Sequence, residues 1–359
     1  MKIKLKNTPE QIELIKAMGS RDGTVAKEAS EAFAAFIGPV VSKVLMQAGT
    51  ASTIYSDSPY DEDDNPSLPL DLWHDQTQDH VTVWSQNVAG GLPSSTVEGF
   101  NELKISTYRL DAAVSFLKRY ARSGRLDVVS KAVERMTNEV LVKQERNAWA
   151  VILKALAEAR SAVVGSNLGV AGGQIITAAN PGTFVLNDLN RLMTLVKRIN
   201  TSYAGGATTD TYGLTDLFVS PEIKGNMRSL AYNPLSGENL PDSVREGIYR
   251  GGNSEFYGVS IHELVELGVG QKYSVLFNAY GASSLSTNWA VGSKQIAIGL
   301  DLSKEAFIRP VARQAESGGT FTVLPDDQFV ARSEKTGFYG SLEEGRVCVD
   351  ARSIVGLIV

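Results

Sequence analysis

Apolar residues recur at helical spacing from Arg125 to about Val164. Val129, Val133, Met136 and Val140 follow one another by four, three and four, and Trp149, Ile152 and Leu156 resume the row. Good helix formers fill the positions between, no Pro or Gly interrupts, and Gly124 and Gly165 bracket the stretch. The pattern predicts one helix about 55–60 Å long at 1.5 Å per residue, against a usual length of ~11–12 residues. A rod of that length needs a large partner along it. Before it, residues 8–48 also read as helical. Ile12, Leu14 and Ile15 sit in a short helix closed by Gly19, and Val25, Ala29, Phe33, Phe36 and Ile37 form a second apolar face. Pro39 is expected to kink or end that second helix. The segment reads as an arm, because its faces find no partner within it.

Between these helical stretches the period changes to two. Prolines 59, 66, 69 and 93 break helix, His80 to Gln86 alternates like a strand, and Leu103 to Leu110 reads as a return strand followed by a short helix near Asp111–Arg122. After a small-residue linker over Gly165–Asn180, a helix is expected near Leu186–Asn200. A strand over Leu214–Val219 follows, then a helix started by Ser220-Pro221-Glu222 with Ser as N-cap and Pro in the first turn. Phe256–Ile261, Tyr273–Asn278, Gln295–Leu300 and Ala306–Pro310 read as strands. The last forty residues alternate over Phe321–Leu324, Gln328–Arg332, Phe338–Gly340 and Arg346–Asp350, with turns at Pro325–Asp327, Lys335–Gly337 and Glu343–Gly345. This predicts a β-meander packed against the long helix, and the whole an α+β protein.

Charge sharpens the division. Residues 55–103 hold ten acids (Asp57, Asp61, Glu62, Asp63, Asp64, Asp71, Asp75, Asp79, Glu98 and Glu102) and no Lys or Arg, a formal −10 against −5 for all 359 residues. They read as a long, extended, acidic arm with too little apolar content to fold on itself. Lys104 to Arg146 reverses the sign, with ten bases against five acids. Arg119, Arg122, Arg125, Lys131 and Arg135 are its candidate interface residues. Charge blocks are commonly no more than solvated faces, but an acidic arm beside a basic rod also suggests electrostatic pairing, within one chain or between copies. Trp73 and Trp84 lie in an arm without a core of its own and read as interface anchors, as do Asp61, Glu62, Asp63 and Asp64.

Composition sets outer limits. With 43% hydrophobic and 21% charged residues the chain is globular, and its length suggests two or three lobes. A pI of about 5.4 gives no support to a dedicated nucleic-acid binder. Cys348 is the single cysteine, read as a small core residue in a reducing compartment, and no apolar run approaches a membrane span. Catalytic and metal motifs fail on inspection. His262-Glu263 opens a zinc-helix pattern, but Glu266 stands where the second His is needed. Asp61 to Asn65 has calcium-loop alternation with Pro66 in place of Gly and Leu72 in place of the closing Glu. Gly268-Val-Gly270 lacks a third glycine, and there is no phosphate loop or nucleophile elbow. Neither a catalytic residue nor a cofactor is expected.

The order of parts resembles the HK97-like major capsid proteins of tailed bacteriophages: helical arm, extended loop, spine helix, mixed α/β lobe, terminal strands. The local patterns that carry it are Leu217-Phe-Val-Ser-Pro-Glu leading into a helix, Phe256-Tyr-Gly-Val-Ser-Ile, and Lys335-Thr-Gly-Phe-Tyr-Gly. The resemblance implies an N-terminal arm over 1–51 and an extended loop (E-loop) over 52–110. It places a peripheral (P) domain at 111–180 with 301–359, and an axial (A) domain at 181–300. It further implies hexamers and pentamers of an icosahedral head around double-stranded DNA, assembled in the host cytoplasm. A separate scaffolding protein and a portal would be partners. Some members cross-link the E-loop by a Lys–Asn isopeptide bond, and residues 55–103 offer no Lys for it. Stabilisation is then expected to be non-covalent or to use a cement protein. The competing readings are an encapsulin-like shell around cargo enzymes and a cytosolic enzyme with an unrecognised site.

Overall fold

The computed structural model describes residues 8–47, 49–61, 64–69, 102–159, 174–199, 213–232, 255–284, 294–303, 305–313, 320–326 and 334–359. The chain divides into two compact units, Met1–Glu145 with Arg309–Val347, and Arg146–Ile308 with Cys348–Val359.

The first unit begins with α1 (Pro9–Met18) and α2 (Gly23–Gln47). The second helix runs through Pro39 instead of ending there. Phe33, Ile37, Val41 and Leu45 are buried at helical spacing on both sides of the proline. Their common packing outweighs the lost N–H. A two-stranded ladder of β2 (Ser67–Pro69) and β3 (Glu102–Lys104) follows β1 (Ser56–Asp61). The short helix expected from Asp111 is instead strand for most of its length. β4 covers Thr107–Leu117, and only α3 (Lys118–Arg122) is helical before α4 (Leu126–Glu158). β4 alternates, with Arg109, Asp111, Ala113 and Ser115 exposed and Phe116 buried. That period of two is the strand signature that Ala112 and Ala113 masked.

The unit's sheet is organised on a strand that runs through both expected turns, at Lys335–Gly337 and Glu343–Gly345. Numbering the remaining strands in chain order makes it β12 (Lys335–Gly345), which pairs antiparallel with β4 over eleven residue pairs. Its other edge takes β11 (Phe321–Asp326) and the end of β10 (Phe307–Arg313), which in turn meets β1. One core joins α1, α2, α4 and this sheet: the Phe33 ring lies tilted at 5.3 Å from Phe338, and Val129, Val133, Met136 and Val140 pack with Phe321, Val323 and Leu342. The N-terminal helices thus have their partners in their own unit. At Gly340 the Phe321 ring occupies the space a Cβ would need.

The second unit is a six-stranded sheet ordered β5-β14-β9-β6-β8-β7. Its strands are β5 (Ile175–Thr177), β6 (Asp216–Val219), β7 (Glu255–Phe256), β8 (Val259–Glu263), β9 (Ile296–Leu300) and β14 (Ile354–Ile358). The helices are α5 (Leu186–Ile199), α6 (Pro221–Tyr232) and α7 (Lys272–Ser284). Ser220 caps α6 as its sequence indicates, accepting from the Ile223 N–H at 3.2 Å. Leu217 and Val219 join the core formed with α5 and α6, while Phe218, on the opposite face, meets Trp149 edge-on at 5.0 Å. Both faces are covered, so β9 and β14 are buried at every residue and read as continuous apolar runs.

Three expectations change here. Tyr273–Asn278 is helix, with Tyr273 against Trp149 at 5.8 Å. Phe256–Ile261 is a hairpin turned by Tyr257 and Gly258, both at positive φ. Residues 320–359 are not one meander, because β14 belongs to the second sheet, beside β9 and β5. Of the last expected strand, Arg346–Asp350, only Val347–Cys348 is extended (β13), and Ala351–Ser353 is a 3₁₀ turn.

Candidate assembly interface

The acidic stretch follows β1 and precedes β4, and the described residues at its two ends border a buried charge cluster. Alternation along β12 turns Phe338, Leu342 and then Glu344 inward, and Glu344 is 0% exposed. Its carboxylate accepts from the Tyr108 hydroxyl at 2.7 Å, from Gln144 Nε2 at 3.1 Å and from Arg346 at 3.3–3.4 Å. Arg309 Nη1 stands 3.9 Å away and turns its other nitrogens to Asp57, a bidentate pair at 2.6 and 2.7 Å. Arg346 lies over the Tyr55 ring at 4.8 Å. Burial works against the Arg346 charge, yet the Glu344 carboxylate holds its pKa above the ordinary arginine value. Two neighbours complete the cluster. Glu343 accepts from Tyr60 at 3.1 Å and Thr107 at 2.9 Å, and Glu145 receives the Ala51 N–H and the Thr50 hydroxyl. The residues before β1, β1 itself and the start of β4 are therefore all pinned to the sheet and to α4.

None of these anchoring residues stood out in the sequence. The signal was present in β12: carrying the alternation on from Phe338 and Leu342 makes Glu344 an inward carboxylate, which needs partners.

Of the expected arm residues, Asp61 ends β1 and is exposed, and Asp64 is exposed, its N–H donating to the Asp61 carbonyl at 2.9 Å. Glu62, Asp63, Trp73 and Trp84 lie outside the described residues, as does the strand expected over His80–Gln86. The expected basic residues are all exposed. Arg119 sits over Tyr120 at 4.9 Å, and Arg122 donates from Nε to the Gly19 carbonyl at 2.8 Å. Lys131 and Arg135 lie one turn apart on α4, away from buried Val129, Val133 and Met136.

The weaker motifs resolve into structure. His262 lies on β8, with Nε2 2.7 Å from Asp216 and its ring stacked on Phe218 at 4.9 Å. Among the described residues no group of acids, His and Cys could hold a metal ion, and no helix is long and apolar enough to cross a membrane. Cys348 is half-buried, and burial pushes its thiol up to about 12.

The chain has the HK97-like capsid fold. It is similar over 87% of its length to 87% of a chain in the mature capsid of bacteriophage PhiM1 (13% identity, TM-score 0.50). The capsid of cyanophage P-SCSP1u matches 85% of this chain with 86% of its own (14%, 0.53), and the capsid of a native GTA particle 87% with 90% (13%, 0.52). No protein-family model and no curated protein sequence matches.

Proposed function

We propose that this chain is the major capsid protein of a tailed bacteriophage, forming hexamers and pentamers of an icosahedral head that encloses double-stranded DNA. The observation that carries the reading is the likeness to capsid subunits over nearly the whole of both chains. The rooted acidic arm supports it. A cluster that ties the residues flanking a Lys- and Arg-free stretch to the sheet suits a loop whose partner lies on another copy. In this reading residues 52–110 are the E-loop and 181–300 the A domain. Asp61, Glu62, Asp63, Asp64, Trp73 and Trp84 meet a neighbour's Arg119, Arg122, Arg125, Lys131 and Arg135. Shell strength then comes from interface area summed over many subunits. A scaffolding protein, a portal and a cement protein are the further partners, and DNA is a partner by proximity alone.

Recombinant chain, expressed alone and with the scaffolding protein of its phage, tests this by negative-stain electron microscopy. Closed shells are expected; a small oligomer of fixed size in every condition would overturn the reading.

A further inference from the structure

β4 is an edge strand. It pairs with β12 over eleven residue pairs, and among the described strands with no other. One step beyond the last pair, Leu117 with Lys335, the Lys118 N–H donates to the Glu334 carbonyl at 2.8 Å. Bonded and non-bonded pairs alternate in an antiparallel ladder, so the even-numbered residues turn their backbone groups to β12 and the odd-numbered ones turn theirs outward. The N–H and C=O groups of Thr107, Arg109, Asp111, Ala113 and Ser115 therefore line the free edge, with no backbone partner among the described residues. Nothing blunts this edge: the strand holds neither Pro nor Gly, its register with β12 has no bulge, and no charge stands among its inward residues. The inward row is unfinished as well. Leu110 and Val114 are only half-buried, whereas Leu342 and Phe338, directly opposite them on β12, are 3% and 1% exposed. A strand of eleven residues, about 36 Å long, with open backbone groups and a half-covered apolar row, is a template for another strand.

We propose that β4 pairs antiparallel with β4 of a second copy of this chain, across a two-fold axis at Leu110, so that the two sheets become one. The inference rests on the capsid reading, in which a closed icosahedral shell supplies two-fold contacts between copies, and it names one of them. Charge selects both the partner and the register. A strand that meets its own copy does so about one central residue, and residues directly opposite each other share a face. Centred on Arg109 or on Asp111, the pairing sets like charges against each other. Centred on Ala112, it sets neither charge against the other. Centred on Leu110, it places Arg109 opposite the second copy's Asp111, and symmetry repeats the pair. Both side chains are on the outer face and about half exposed, and Arg109 Nε already lies 2.9 Å from Asp111 within the chain. Tyr339 holds the two in place, its hydroxyl donating to Asp111 and accepting from Arg109. Across the axis they form a ring of four alternating charges that stays in contact with water. On the inner face the two Leu110 side chains cover each other and complete the half-buried row.

The melting temperature of shells built from charge variants tests the contact. Arg109→Asp sets acid against acid across the axis, and Asp111→Arg sets base against base, so shells of either variant alone should melt below wild type. Neither variant keeps the attraction within one chain, but between the two variants every opposition is again of unlike charge. Shells co-assembled from an equal mixture should therefore melt above those of either variant. A mixture no more stable than its components would overturn the proposal and leave the capsid reading standing. Disulfide formation in a Cys348→Ser background reads the register. Leu110 forms a non-bonded pair with its own counterpart, where Cα atoms are about 4.5 Å apart, within reach of a disulfide. Leu110→Cys shells should give covalent dimers on oxidation with diamide, and Ala112→Cys shells should not. No dimers from Leu110→Cys, or as many from Ala112→Cys, would also overturn the proposal. If no shell forms in any condition, the capsid reading falls and this contact with it.

Discussion

Tyr108 and Glu344 stand directly opposite each other in the β4–β12 ladder, and the Tyr108 hydroxyl donates to the Glu344 carboxylate at 2.7 Å. One strand carries the chain back from the acidic arm, and the other supplies the inward charge that arginines 309 and 346 share. The arm's return is therefore fixed by a side-chain bond and by backbone pairing at the same register. Glu344→Gln keeps the shape and removes the charge. It is expected to destabilise the subunit by about 3–5 kcal/mol, the cost of leaving a buried partner uncompensated. Tyr108→Phe should cost about 1.5–3 kcal/mol. Urea unfolding of both single variants and the double variant checks this, and additive effects would show the two residues to be uncoupled.

Trp149→Ala removes the ring that α4 places between Phe218 and Tyr273. A loss of about 3–5 kcal/mol is expected from so large a buried cavity. It should appear in near-ultraviolet circular dichroism and calorimetry.

Gly340→Val sets a branched side chain where the Phe321 ring already lies. The ring sits in the core with Phe338 and Val323 and has little room to retreat. Thermal unfolding should show a fall in stability, and adding Phe321→Ala should recover part of it.

Neutralising the arm's first acids, with Asp61→Asn, Glu62→Gln, Asp63→Asn and Asp64→Asn together, should weaken shells at low salt. The gap to wild type should close near 1 M salt, where the screening length is about 3 Å. Equal melting of the two particles at low salt would count against pairing between arm and basic face.

Cys348 gives a pH-dependent readout. Its pKa, near 12 in the folded chain, lies above that of a free thiol, so the folded state holds its proton more tightly. This contribution to stability is complete below about pH 8.5 and disappears as pH rises toward 12. Alkylation at pH 8 should be about a thousandfold slower in native than in urea-unfolded protein. Equal rates would place the thiol in water.

Much of the fold was legible because it follows from period alone. The long helix, the Ser220 cap of α6 and the strands at 216–219 and 296–300 all show their burial in their spacing. What was illegible depended on contacts far along the chain. Tyr273–Asn278 has strand-like composition, but Trp149 takes Tyr273 as a helical side chain. Pro39 is a helix breaker by itself and is overruled by Phe33, Ile37, Val41 and Leu45. Of the candidate interface, the acidic and basic blocks could be read from charge. The root of the arm could not: Asp57, Gln144, Arg309 and Arg346 meet Glu344 only after the sheet has formed.

The position of β14 has a kinetic consequence. It lies between β9 and β5, pairing Gly356 with both Ile298 and Ile175. Until it arrives, the five consecutive apolar residues of β9 present an unpaired edge. Pairings so distant in sequence form late, because the loops they close are long. During synthesis the second unit therefore keeps a sticky edge until the last residues of the chain are made. Where many copies are made at once, mutations that delay β14 should appear first as aggregated subunits.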